Sequence, residues 1–291
     1  MVSFILPFAS TTDNLYKWKE PDSDIIILTT ILTIQNINKT FSKHSYEIIL
    51  VDNTNSFPDI KMPNLKIVKG LQYKKEKDIS LEEMIKYNIS DFENLTMWVS
   101  TAYNIGIEHA KGDYIFLQHN DVFYHNDLME DIIELLDTHE YVTIDSKKIN
   151  LTGYLGNKEF FDNLGIDIEI AHDDGGYLKT KEIGMADAYF FACKKEFFDD
   201  YIVDYGYGDT NHGATIKCLL EKKPTFHIGP YYENQNYETE DIDHSYILNG
   251  KSFVTHLKGG FSENKLSFKK SNNRYNMDTS NSYINKLIKS T

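Results

Sequence analysis

Ala102-Tyr-Asn-Ile-Gly-Ile-Glu-His-Ala-Lys-Gly-Asp-Tyr-Ile-Phe-Leu-Gln-His-Asn-Asp-Val122 is the stretch on which the reading of this chain turns. Its first half places Ala102, Ile105, Ile107 and Ala110 at amphipathic helical spacing. Gly112 is expected to supply the left-handed stop that commonly ends a helix. Tyr114-Ile-Phe-Leu117 then reads as a short apolar strand, of the kind buried on both faces in a parallel sheet. It breaks into the polar tripeptide His119-Asn120-Asp121. Open α/β sheets hold ligands beyond the carboxyl ends of their strands, so these three side chains are expected to project into a binding crevice.

Working outward, the same alternation continues. Val2-Ser-Phe-Ile-Leu-Pro7 reads as a first strand cut off by proline, and Tyr46-Glu-Ile-Ile-Leu-Val51 as a second. Between them, Asp24 to Ile37 exceeds ordinary strand length and repeats apolar residues at Ile27, Ile31 and Ile34. It is read as a helix, with strand as the alternative because it is rich in β-branched residues. Leu65 to Val68 with Gly70 reads as a third strand and its exit. A charged run from Lys74 to Asp78 is read as a solvated insertion before a helix over Ser80–Tyr87, where Ser80 and Glu83 have capping-box spacing. Asp127 to Leu136 carries an amphipathic Leu/Ile stripe. The fold class this implies is α/β, with a mostly parallel central sheet flanked by helices.

Composition narrows the partners. The 291 residues with 41% hydrophobic content suffice for one large domain. A net charge of -14 argues against nucleic acid, which demands a broad basic surface. The two cysteines, Cys193 and Cys218, suggest neither a disulfide framework nor a zinc site, and a cytoplasmic setting is expected. The apolar run Val2–Ala9 lacks a basic leader and is too short to span a bilayer, and no later stretch is long enough.

The central stretch resembles the motif of family 2 glycosyltransferases, enzymes of the GT-A fold that transfer a sugar from a nucleotide donor. Asn104, Gly106, Ala110, Gly112, Asp113 and Tyr114 fall in place, and His119-Asn120-Asp121 occupies the position of the metal-binding triplet. The resemblance departs at His119, where the family has Asp. It implies Mn²⁺ or Mg²⁺ held by Asp121, His119 and a late histidine, His256, on the strand Ser252–His256. It also implies a donor pocket of Pro7, Phe8, Asp52, Asn53, Asn104, Asn120 and Asp121, with UDP-sugars favoured. Asp52, ending a strand, is placed to accept a pyrimidine N–H, and the alternative is an Asx-turn closing that strand.

On the acceptor side, Ala186 to Phe198 resembles the segment in which a strand runs into Arg/Lys-x-x-Phe, making Asp187 a candidate for contact with a glycan or other hydroxyl acceptor. Tyr205 to Gly213 stands where the family keeps Glu-Asp-x-Asp. Gly208 and Asn211 replace two carboxylates, leaving Asp209 as the candidate base or a helix N-cap. The expected organisation is a single domain over residues 1–261, with a donor half 1–122 and an acceptor half 123–261. A basic tail or lid over 262–291 completes it. The reaction expected is sugar transfer with inversion, and the alternative is a catalytically inactive or weak nucleotide-sugar-binding protein of the same fold. His172-Asp-Asp-Gly-Gly176 is read as a loop rather than a metal site. Asn249-Gly-Lys-Ser252 lacks the upstream glycine of a P-loop, and Pro7 to Thr12 lacks the glycines of a dinucleotide fingerprint.

Overall fold

The computed structural model describes residues 1–9, 23–71, 74, 76–87, 89, 95–144, 149–150, 168–170, 177–180, 189–200, 203, 214, 217–218, 221–228 and 244–256. Thirteen strands are found among them: β1 (Val2–Phe8), β2 (Tyr46–Asp52), β3 (Leu65–Lys69), β4 (Tyr114–Gln118), β5 (Val122–Tyr124), β6 (Tyr141–Ile144), β7 (Ile149–Asn150), β8 (Ile168–Ile170), β9 (Tyr177–Thr180), β10 (Phe190–Lys194), β11 (Phe226–Ile228), β12 (His244–Leu248) and β13 (Lys251–His256). The helices are α1 (Ser23–Thr40), α2 (Leu81–Lys86), α3 (Leu95–His109) and α4 (Met129–Leu135).

Seven strands form one sheet in the order β11-β6-β10-β4-β1-β2-β3. The run from β3 to β4 is parallel, and β10 enters antiparallel to both β4 and β6. Side chains alternate between two cores, as the pleat requires. Phe4, Leu6, Ile48, Leu50, Phe116 and Phe190 face one cluster shared with α1, α4 and the small β12-β13-β5 sheet. Ile5, Ile49, Val51, Ile115, Leu117 and Phe191 face the other, shared with α3. The central strands β1, β2, β4 and β10 are therefore largely apolar on both faces, as the sequence predicts for a covered sheet, while edge strand β3 is mostly exposed.

Several sequence expectations hold. The 24–37 stretch is helix, extended to Thr40, and the capping box is present: Glu83 N donates to Ser80 Oγ (3.1 Å) and Ser80 N to Glu83 Oε2 (3.0 Å). Lys74, in the charged run, pairs with Glu83 at 2.6 Å. Both cysteines are free and buried, and burial pushes the Cys218 thiol up to about 12.

Two expectations are corrected. Pro7 does not end β1, which continues to Phe8. Phe8 O faces β2, where it accepts from Asn53 N, so Pro7 faces the β4 side; there the pairing stops at Ile5 and no N–H is demanded. Gly112 is not a left-handed stop, since among the described glycines only Gly250 has positive φ. It is glycine because a Cβ would lie 2.7 Å from Ser3 N and 2.8 Å from Met1 O, where the chain entering β4 passes the start of β1.

Candidate functional site

The carboxyl ends of β2, β1 and β4 lie side by side. The chain leaves β1 for β2 on one side and later returns through α3 to β4 on the other, which makes β1/β4 the switch point where open α/β sheets hold ligands. The predicted donor residues Pro7, Phe8, Asp52, Asn53, Asn120 and Asp121 all fall at these strand ends.

Their side chains are engaged differently from one another. Phe8 is buried with its ring 4.9 Å from that of Phe57, beside half-buried Pro7. The Asp52 carboxylate closes its own loop: Oδ1 accepts from Thr54 N (3.0 Å) and Thr54 Oγ1 (3.2 Å), and Oδ2 from Phe57 N (2.8 Å). The Asx-turn alternative is thus realised. A carboxylate offers about four acceptor positions, so this does not exclude a base contact. Asn53 is buried, donates from Nδ2 to Trp98 O at 3.3 Å, and leaves Oδ1 without a partner against the backbone of Gly70. A Cβ on Gly70 would stand 1.9 Å from that oxygen, so the residue must be glycine.

The triplet departs from expectation. Asn120 and Asp121 are 2% and 1% exposed, so they do not project into an open crevice. They form the corner where the chain leaves the large sheet for β5, and α1 covers that corner. Asn120 Nδ2 donates to Thr30 Oγ1 (2.7 Å), and Thr33 Oγ1 donates to Asn120 O (2.8 Å). Asn36 brackets the next strand, donating to Tyr124 O (2.9 Å) and accepting from Tyr124 N (2.7 Å). Sequence reading missed Thr30, Thr33 and Asn36; their signal was three polar residues spaced by three along one stripe of the helix. His119 is half-buried, with its ring edge-on to Tyr189 at 5.1 Å. Burial pushes the nearby His125 pKa down and the Tyr124 pKa well up.

The motif residues Asn104 and Gly106 have structural tasks. A Cβ on Gly106 would come within 2.2 Å of Ile5 Cγ2, so the glycine lets α3 press onto β1. Asn104, expected at the donor, is engaged elsewhere: Nδ2 donates to Val203 O (3.0 Å) and Oδ1 accepts from Val203 N (2.9 Å).

For the metal, β13 runs antiparallel to β5 with His256 opposite Val122, the residue after Asp121. The His256 side chain lies outside the described residues, as do Asp187 and Asp209. Among the described residues no three His, Cys, Asp or Glu side chains form a metal-holding group. A buried carboxylate with imidazole on the adjoining strand is nonetheless a donor set that suits a divalent cation. Sequence reading also missed the β12–β13 hairpin. Its turn is Asn249-Gly250, both at positive φ, a strong hairpin signal in any sequence.

Residues 85–202 match the model of glycosyl transferase family 2. The matched stretch is less than half of the chain and carries α3, Asn104, Gly106, β4, the triplet and β10, so the family match and the motif resemblance agree. No curated protein matches the sequence. Among solved structures, the chain is similar to the galactosyltransferase LgtC in complex with donor and acceptor sugar analogs, at 9% identity and TM-score 0.37, covering 78% of this chain and 73% of that one. It is similar to the mannosyltransferase PcManGT from Pyrobaculum calidifontis in complex with GDP-Man and Mn²⁺, at 12% and 0.43, covering 78% and 54%. It is also similar to TarS 1-349 of S. aureus in complex with UDP-GlcNAc, at 13% and 0.39, covering 87% and 57%. The chain thus spans little more than half the length of the last two. Among the described residues no helix is long and apolar enough to cross a membrane.

Proposed function

We propose that this chain is a divalent-metal-dependent glycosyltransferase, moving a sugar from a nucleotide-diphosphate donor, UDP-sugars favoured, to a hydroxyl acceptor with inversion at the anomeric carbon. The observation that carries the reading is that the family 2 match falls on the segment that builds the β1/β4 switch point and its buried Asp121. Asp121 with His256 and His119 would hold Mn²⁺ or Mg²⁺. When bound, such a cation supplies charge neutralisation for a diphosphate. Asp52 and Asn53 are the groups for the base, the one through remaining carboxylate capacity and the other through its unpartnered amide oxygen. Pro7 and Phe8 form the floor, Asn120 positions Asp121 through α1, and Asp187 is the acceptor contact. Asp209 accepts the acceptor hydroxyl proton as that oxygen attacks the anomeric carbon and the diphosphate departs from the opposite face.

The test is release of nucleoside diphosphate from a panel of nucleotide-sugars and acceptors, with and without Mn²⁺. Metal-stimulated release that falls about 10²-fold in Asp209→Asn, with donor affinity retained, is the expected result. A product of retained configuration removes Asp209 from the role of base. A second reading, binding with little or no turnover, is favoured by His119 at the first triplet position and by Gly208 and Asn211 where the family keeps carboxylates. Donor binding with no release across the panel selects it.

A further inference from the structure

Asn104 lies on α3 within the donor half, yet both polar ends of its amide close on the backbone of one residue 99 positions later. The contact is sealed: Asn104 is 8% and Val203 2% exposed. Val203 precedes residues 204–213, which include Asp209, and Ala214, which follows them, is also buried. Val203 and Ala214 belong to the same buried cluster as Ala102 and Ile105 of α3 and Phe191 of β10, so residues on both sides of that ten-residue stretch are part of the core on the α3 face of the sheet. Gly106, half a helical turn from Asn104, sets the same helix tightly against β1.

We infer that Asn104 is a positioning residue: it ties the root of the 204–213 segment to the helix that borders the donor site, and its amide does not bind the donor. The assignment of a base to that segment rests on the glycosyltransferase reading; the tie itself does not. The amide donates to one backbone group and accepts from the other, so its two functional groups are occupied in the direction of Val203. One amide hydrogen and one oxygen lone pair remain, but at 8% exposure they are closed off from solvent, and turning either group toward a ligand would strand the buried N–H or C=O of Val203. The arrangement matches what Asn36 does to Tyr124 on the other face of the sheet. One asparagine brackets the strand after the triplet, and the other brackets the root of the segment carrying Asp209.

The experiment compares full-length wild type, Asn104→Ala and Asn104→Asp. The Asp variant keeps the acceptor for Val203 N–H but loses the donor to its carbonyl. Three readouts are taken: amide exchange at Val203, chymotryptic cleavage after Tyr205 and Tyr207, and calorimetric affinity for UDP with Mn²⁺. In Asn104→Ala, exchange and cleavage are expected to accelerate about 10-fold or more, with UDP affinity within about 3-fold of wild type. In Asn104→Asp, protection of the Val203 amide should be largely retained. Should Asn104→Ala fail to fold, Val203→Pro, which removes the N–H and keeps an apolar side chain, must reproduce the faster cleavage. Unchanged exchange and cleavage in Asn104→Ala, or a 10-fold loss of UDP affinity with Val203 still protected, overturns the inference. Absence of binding by UDP, GDP, ADP and CDP alike in the wild type defeats the glycosyltransferase reading instead, and leaves exchange and cleavage to judge the tie.

Discussion

At the carboxyl end of β4, polar side chains are buried and bound to protein groups, as with Asn120 on Thr30 and Asn36 on Tyr124. At the amino end of the same sheet lies a cleft of about 500 Å³ whose charges pair at the surface. There Lys194 meets Asp137 at 3.3 Å, Lys217 meets Glu221 at 2.7 Å and Asp200 at 3.0 Å, and Lys223 meets Glu140 at 3.0 Å. Among the described residues, this cleft lies at the end of the sheet opposite the motif. Exposed ion pairs are screened and contribute little, whereas a buried polar group left without its partner is costly. Function is expected where the fold tolerates that cost, and indifference to mutation where it does not arise.

Substitutions at the two ends should separate sharply. The largest effect is expected at Asp121→Asn, which keeps shape and removes the charge: Mn²⁺-dependent UDP affinity should fall about 100-fold by calorimetry. Unchanged affinity would move the cation away from this corner. Next is His227 on β11, whose Nδ1 has no hydrogen-bond partner and whose pKa burial lowers to about 4 from 6.5. The unfolded chain binds the proton first, so this stability is complete above pH 6.5 and declines as pH falls through 6.5 toward 4. The loss reaches at most about 3 kcal/mol. Urea unfolding at pH 7 and pH 4.5 should show that slope in wild type and a shallower one in His227→Phe.

Asp52→Ala should cost about 1 to 3 kcal/mol of stability, because Thr54 N and Phe57 N lose their acceptor. UDP affinity measured per folded molecule then reports separately on its role at the base; a loss confined to stability leaves Asp52 as a turn residue only. The smallest effect is expected at the cleft. Glu221→Gln removes the i,i+4 pair to Lys217 and should change stability by about 0.5 kcal/mol or less. A larger loss would mean that the two ends are not built as differently as their burial implies.

Residues with local consequences were legible in the chain itself. The capping box of Ser80 and Glu83 and the two-faced apolar β4 depend on neighbours in sequence, so spacing made them legible, and the length of the apolar run favoured helix over strand for α1. The alternation of strand and helix likewise determined the class of fold, and Asn104, Gly106 and Asp121 determined the resemblance. What the sequence could not supply was the partner of each polar group. Asn104 and Val203 are 99 residues apart, Asn120 and Thr30 are 90, and Asn36 and Tyr124 are 88. No local pattern encodes such pairings, because an amide in a sequence offers the same donor and acceptor to a ligand as to a backbone. Gly112 shows the same limit: the sequence marked a glycine near a helix end, and only the approach of Ser3 and Met1 decided that close packing, not a left-handed turn, requires it. Tertiary contact chooses among the uses a side chain permits, since burial makes every unpaired polar group costly and so commits each one to the partner the fold brings to it.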